Sequence, residues 1–540
     1  MSSRREFLQL AASFGLSSTF GNTILSANSS ASGVPADGYK AIVCIMLHGG
    51  NDSFNMVIPT DNQGYTGYRN ARGTMSIPNI PLGLPDALAS ANKTAVSIVN
   101  TEDAYYRGLY RVGPDLAVNA LMPELAHLIK DGRAKVIANV GTLNEPTDKQ
   151  RVIDKAVSLP LMLFAHNHQQ RQLYMGRSDV DNDIGWAGRL ADKWLGGFNF
   201  DFPLGVNISV NGNSKLMIGS LTSPFVMRPN GPEMFQNMRL SQDALAGNPR
   251  GSDKVVYNRR ALFKYMGGQN LLSEGTGSNP DPLDFRSFDP YNPASYLKRA
   301  YQHFSTKSLD ILGQMELDWA ASEPTYTSID LYGNPIFSIA KEEDPEFILG
   351  INVSNSFGRL ISQLEGIARL IKMGSEKGYS RQIFYAQLGG FDTHSQQERN
   401  HPGLLRELSL GLDQFYKALG DLSLSDNVVT YTQSDFGRTL SNNGDGTDHG
   451  WGGHQFVMGP NLSSGPLVGR IPDLWVDSQD DYYNKGRIIP QIAQEQVNAA
   501  IASWFGVSNS DISEIFPNLT NFKTNPDSDI TTAFIDGLFA

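Results

Sequence analysis

The sequence predicts an α/β fold built on a mostly parallel sheet, and three observations carry that reading. Apolar runs without polar alternation, at residues 40–47 and 134–140, are what strands covered on both faces require. Amphipathic helices precede or separate such runs. One places Leu360, Leu364, Ile367 and Ile371 on a single face, and another does so with Leu405, Leu408, Leu412, Phe415 and Leu419. Polar Asp, Asn and His residues follow the strands directly, at the edge where open α/β sheets bind their ligands.

The chain has 540 residues, enough for a large core, and length alone allows two or more domains. A net charge of −11 argues against a nucleic-acid partner or an anionic membrane surface. The single cysteine, Cys44, lies inside an apolar strand, where a buried structural thiol is expected and no intrachain disulfide can form. At the N-terminus, Ser3-Arg4-Arg5-Glu6-Phe7-Leu8 is a twin-arginine pattern, followed by apolar residues 10–25 and a small, polar segment at 26–33. That layout is a signal peptide read by the Tat translocon, which makes the expected location periplasmic or secreted. No later stretch approaches the ~18 consecutive apolar residues of a membrane-spanning helix. Residues 34–540 are therefore expected to form one α/β domain.

Taken in order, the strand at 40–47 runs into His48-Gly49-Gly50-Asn51-Asp52-Ser53-Phe54-Asn55. Asp52 is the first candidate metal ligand, and Asn51 is a candidate contact for substrate. Leu121, Leu125, Leu128 and Ile129 have helical spacing, ended by Gly132, before the strand at 134–140. Residues 161–172 place His166 and His168 after an apolar segment. On a strand these share a face, whereas on a helix they point apart, and the pattern alone leaves both readings open. His166 is kept as a catalytic candidate that contacts substrate or supports a ligand. Residues 183–195 read as a packed helix, 202–211 and 215–219 as short strands, and 222–350 as an inserted cap or lobe with polar helices near 253–263 and 295–312. His303, within that insert, reads as a surface or core residue.

The strand at 382–388 ends in Gly389-Gly390-Phe391-Asp392-Thr393-His394, a compact ligand pair behind two glycines. The helix at 404–419 then leads to the strand at 428–432 and to Ser434-Asp435-Phe436-Gly437-Arg438. A Gly/Asn/Asp loop follows with Asp448 and His449, and His454 precedes a second apolar run, so two of the nine histidines lie close together. Carboxylates at strand ends and imidazoles on a glycine-rich loop are how divalent-metal sites are assembled. Residues 467–475 read as a hairpin and 491–504 as a closing helix. The chain has no G-x-x-x-x-G-K-[ST] loop, no G-x-S-x-G elbow and no H-E-x-x-H helix, so those chemistries are unsupported.

The segments LHGGNDSFN, LFAHNHQQ, GWAGRLAD, LGGFDTH, SDFGRT, GTDHGWGGH and AIASWFGVSNSDISEIFPNLTNF, over about residues 40–522, resemble a bacterial family of Tat-exported proteins. It is the domain-of-unknown-function 1501 family, placed in the alkaline phosphatase and sulfatase-like superfamily. The resemblance implies a three-layer α/β/α sandwich and a divalent-metal site at the strand C-termini. Asp52 matches the superfamily's first-strand ligand, and Asp392 with His394 a later pair. Asp435 matches an Asp-His pair in which Phe436 replaces the histidine, and His449 or His454 matches the final loop ligand. Family members often carry Ser before the histidine where this chain has Ala165, so a metal-activated water is the expected nucleophile.

The implied activity is hydrolysis of a small-molecule or polymer-borne phosphate or sulfate ester. Asp52, Asp392, His394, Asp435, Asp448, His449 and His454 would hold one or two divalent ions, with Asn51 and Arg438 clamping the anionic group. Mixed Asp and His donors favour zinc or manganese over calcium or magnesium. The alternative is a non-catalytic secreted binding or assembly protein whose site is degenerate or holds a structural metal.

Overall fold

The computed structural model describes residues 38–85, 101–232 (apart from 181, 196 and 200–203), a few positions between 241 and 257, and residues 311–338 and 357–540. The expected signal segment, His303 and most of the two helices expected at 253–263 and 295–312 lie outside the described residues. The chain divides into two compact units, residues 1–229 with 325–540, and residues 230–324. In the second, Gly231 packs against the indole of Trp319.

The first unit is organised on a nine-stranded sheet. Its strands are β1 (Lys40–His48), β2 (Ala134–Gly141), β3 (Asn207–Ser209), β4 (Phe225–Val226), β5 (Arg381–Gly389), β6 (Val428–Ser434), β9 (Gly453–Met458), β10 (Leu467–Val468) and β11 (Ile492–Ala493). A separate antiparallel pair, β7 (Arg438–Asn442) and β8 (Thr447–His449), follows β6. The spatial order is β10-β2-β9-β6-β1-β5-β3-β4, with β11 also beside β2. Among the described residues only β9 runs against its neighbours, so the sheet is mostly parallel.

Strand β1 lies between β5 and β6, in register from Lys40↔Arg381 to His48↔Gly389 on one side and from Ala41↔Val428 to Leu47↔Ser434 on the other. All three strands therefore end at one level. Both faces are covered, as the unalternated run 41–47 requires. Ile42, Cys44 and Met46 join a core with helices α4 (Trp186–Lys193) and α7 (Gln494–Phe505). On the opposite face, helix α5 (Arg359–Lys377) brings Gly374 onto the Gln382 side chain of β5. Helix α6 (Gln397–Asp421) packs on α5 and links β5 to β6.

One reading left open is decided, and three local expectations change. Residues 161–172 are not a strand: helix α3 runs His166–Met175, so His166 and His168 point apart. The short strand expected at 215–219 is a single 3₁₀ turn, Lys215–Met217, whose carbonyl at Leu216 presses against Gly185. Residues 467–475 form no hairpin; only Leu467 and Val468 join the sheet, parallel to β2. Helix α6 begins at Gln397 rather than 404, because its first turns are anchored by buried polar residues, Gln397 and His401, that apolar periodicity does not register.

Candidate metal centre

Three strand ends build the site, and local pins fix each one. After β5, the Phe391 N–H donates to the His48 carbonyl at 3.1 Å, folding the loop back over β1 before Asp392 and His394 emerge. After β6, Ser434 Oγ donates to the Leu47 carbonyl at 2.6 Å and accepts from the Asn51 N–H at 2.8 Å. Two glycines at the end of β1 make room for this closure. Gly49 has φ +116° and a Cβ there would strike the Asp392 amide; Gly50 has φ +76° and a Cβ would meet the Phe436 ring at 2.5 Å. The β7–β8 pair sets His449 opposite Arg438, and α3 presents His166 from its first residue.

Four donor atoms converge. Asp392 Oδ1 lies 3.5 Å from His166 Nε2, 3.4 Å from His449 Nε2 and 3.2 Å from His394 Nε2. His449 Nε2 is 3.0 Å from His166 Nε2 and 2.8 Å from His394 Nε2. The four atoms thus form two trios sharing the Asp392–His449 edge. An ion with tetrahedral legs of roughly 2.0–2.1 Å separates its donors by about 3.4 Å, and the edges of the His166–Asp392–His449 trio bracket that value.

The protons of the three imidazoles point the same way, outward. His166 Nδ1 is 2.5 Å from Asp435 Oδ2, His449 Nδ1 is 2.8 Å from the Phe164 carbonyl, and His394 Nδ1 is 3.2 Å from Asp448 Oδ1. A carbonyl or carboxylate oxygen only accepts, so each Nδ1 carries the hydrogen. Every neutral ring therefore turns its Nε2 lone pair toward Asp392. Outward partners of this kind orient histidine ligands and raise their basicity. The hydrogen bond to Asp435 raises the His166 pKa, whereas burial lowers that of His449.

Arg438, fully buried, donates from Nη1 to the same Asp392 Oδ1 at 3.0 Å. Burial pushes the Asp392 carboxyl up, but the Arg438 guanidinium that donates to its Oδ1 pulls it down, leaving it below the ordinary range and ionised. The Phe436 ring lies 4.6 Å from the His166 ring and 4.7 Å from that of His449, forming an apolar wall on one side. The opposite side is open, with half of the Asp392 side chain exposed.

Of the residues singled out in the sequence, His166, Asp392, His394 and His449 come together as donors. Asp435 and Asp448 stand one step out and orient histidines rather than facing the centre. Asp435 also accepts from the Gly49 N–H at 3.1 Å and from Gln170 Nε2 at 2.8 Å.

Three others are engaged elsewhere. Asp52 is buried against Arg72, which reaches both of its oxygens, and takes a further hydrogen bond from Gln397. It is linked to the centre indirectly, from Gln397 to Thr393, between Asp392 and His394, and from Gln397 through Thr447 to Arg438. His454 is buried with its Nδ1 accepting from the Asn139 N–H and its ring edge-on to Phe54, and burial pushes its pKa down to about 3. Asn51 turns its side chain inward, accepting from His401 Nε2 at 3.0 Å, so it is no anion clamp. Arg438 is shielded from solvent with its Nη1 on Asp392, while its buried Nη2 has no hydrogen-bond partner among the described residues.

Sequence reasoning missed the Phe164 carbonyl, the Gly49 N–H and Arg487, whose Nε donates to the His449 carbonyl at 2.9 Å. Backbone groups leave no residue-type signal, and Arg487 opens a two-residue strand, Arg487–Ile488, that no apolar run announces.

No curated protein matches the chain. Residues 375–494, which carry Asp392, His394, Asp435, Arg438, Asp448 and His449, match the model of the family described as Protein of unknown function (DUF1501).

Proposed function

We propose that the protein is an exported, metal-dependent hydrolase of phosphate or sulfate esters, on an alkaline-phosphatase-like version of this sheet. One observation carries the reading: His166 Nε2, Asp392 Oδ1 and His449 Nε2 lie 3.0–3.5 Å from one another, with His394 Nε2 beside two of them, while each Nδ1 lies against an outward acceptor. Three imidazoles and a carboxylate suit zinc or manganese better than calcium or magnesium. When bound, such an ion polarises an ester oxygen and acidifies water.

The chain's own residues do the rest. Asp435 and the Phe164 carbonyl hold His166 and His449 in the ligating tautomer, and Arg438 keeps Asp392 charged. Phe436 keeps water off one side. With Arg438 buried, the guanidinium beside the centre that retains solvent exposure is Arg487, which takes the role of clamp for the anionic group. Exposure of Asp392 leaves an approach for substrate, as catalytic rather than structural sites require. The twin-arginine segment supports export after folding, with the ion already in place.

The test joins metal analysis of the purified protein to a screen of phosphate and sulfate monoesters. The expected result is about one ion per centre and turnover that disappears with the ion in His449→Ala and Asp392→Asn. Arg487→Ala is expected to raise KM while retaining metal. A full complement of metal with no turnover on either ester class sinks the hydrolase reading and leaves a non-catalytic metal protein.

A further inference from the structure

Phe164 is joined to the metal centre twice. Its carbonyl accepts from His449 Nδ1, and its ring lies 4.3 Å from the Arg487 guanidinium that also holds the His449 carbonyl. From Phe164 an aromatic path runs outward, 5.7 Å between ring centroids to Tyr482 and 4.6 Å onward to Tyr483. The two segments that carry these rings also bear exposed large apolar side chains: Met162 is 62% exposed, Tyr483 51% and Leu161 44%. Ile153, 50% exposed, comes from the short helix Lys149–Ile153 that packs beside Asp481–Tyr482. Exposed apolar side chains on segments that adjoin a site make a candidate binding surface.

The backbone gives a second, independent observation. Met162, Phe164 and Tyr483 adopt left-handed φ values of 49°, 69° and 53°. At Tyr483 this is the turn of the Asp481–Tyr482/Arg487–Ile488 hairpin; at Met162 and Phe164, bulky residues that seldom adopt it, it lies in the loop leading into His166. Nearby polar groups are already satisfied: Lys149 Nζ donates to Asp477 Oδ1 at 2.7 Å and to Asn484 Oδ1 at 2.9 Å. The Lys149 ammonium is thus held by its own partners, and the rim offers apolar area with the two tyrosine hydroxyls.

We propose that Met162, Phe164, Tyr482 and Tyr483 form a subsite for the alcohol portion of the ester, and that this portion is an apolar alkyl or aryl group. The proposal rests on the hydrolase reading for the reaction, but binding at the rim does not require turnover.

The test uses the metal-loaded, full-length protein and two non-hydrolysable probes, octylphosphonate and methylphosphonate, titrated calorimetrically. The wild type is expected to bind the octyl probe about tenfold more tightly or better, since several methylenes leave water. The Met162→Ser/Tyr483→Ser double variant is expected to lose most of that advantage while keeping its metal and its methylphosphonate affinity. Ile80→Ser, at an exposed hydrophobic residue away from the rim, keeps the advantage.

A parallel comparison of octyl and methyl phosphate monoesters, whose leaving groups are of similar reactivity, should give the same ranking in kcat/KM. Equal affinities in the wild type, no octyl binding, or an octyl advantage that survives in the double variant overturns the subsite. An advantage that depends on Met162 and Tyr483, with no turnover of any ester, upholds the subsite and overturns the hydrolase.

Discussion

Asp435 and Asp52 are two buried carboxylates at neighbouring strand ends, and their partners give them opposite jobs. Asp435 spends one oxygen on His166, Gly49 and Gln170, so it acts on the centre through an imidazole. Replacing it by Asn removes the charge that holds the His166 proton outward. Metal affinity is then expected to fall by about 10–100-fold, the usual cost of losing such a partner, read by competition with a chromophoric chelator. Asp52 instead neutralises Arg72, and both side chains are fully buried. Asp52→Asn leaves that guanidinium without a counter-charge, so the expected loss is about 3–5 kcal/mol of stability in urea, with the metal centre intact in whatever fraction stays folded. A loss of metal from Asp52→Asn at unchanged stability would return Asp52 to the ligand set. Sequence alone could not separate the two, since both are an Asp just past an apolar strand. What differs is the partner, Arg72 in one case and His166 in the other, and each lies on an element remote in sequence.

At the scale of elements, the strand–helix–strand unit β5–α6–β6 was the most legible part of the chain. Its apolar runs and the Leu405–Leu408–Leu412 stripe fix both the sheet and the face the helix buries. The loops after β5 and β6 carry Asp392, His394 and Asp435, and that much of the centre was readable. His166 was harder to place. Its place beside Asp392 and His449 depends on α3 beginning at that residue, and neither periodicity nor a capping side chain at Ala165 signals this start. His454 misled for a different reason. It sits on β9, where alternation turns it into the core beside Phe54. The glycines between β1 and its loop test how tightly the strand ends are closed. In Gly49→Ala the new methyl meets the Asp392 amide at a left-handed φ, so Asp392 must move away from the histidines. The variant is expected to lose metal binding and roughly 1–3 kcal/mol of stability, measured by metal stoichiometry and thermal melting. Gly132→Ala, also at positive φ but with open space around its Cβ, serves as the control that pays only the backbone strain.

The molecule as a whole carries ionisable groups in its core whose protonation couples folding to pH. Glu495, in the first turn of α7, is fully buried, and burial pushes its carboxyl up to about 8 from an ordinary 4.5. Between those values the folded chain keeps the proton and the unfolded chain has released it, so unfolding sheds a proton and stability falls as pH rises. The contribution is complete below 4.5 and gone above 8. His454 works in the opposite sense. Burial holds it neutral down to about 3, so the unfolded chain binds the extra proton between that value and 6.5, and stability falls as pH drops through that window. Above pH 6.5 the histidine no longer contributes a slope, and comparison with a Glu495 variant cancels another raised carboxyl in this range, Glu407, pushed up to about 7 by burial. From pH 6 to 8 the wild type is therefore expected to lose roughly 2 kcal/mol relative to Glu495→Gln, which stays neutral throughout. Chemical denaturation of both proteins at several pH values measures the difference, and contributions from the metal centre cancel because it is unchanged in the pair. Parallel stability curves for the two proteins over that range would mean that Glu495 is already ionised in the folded chain, with a compensating cation beside it.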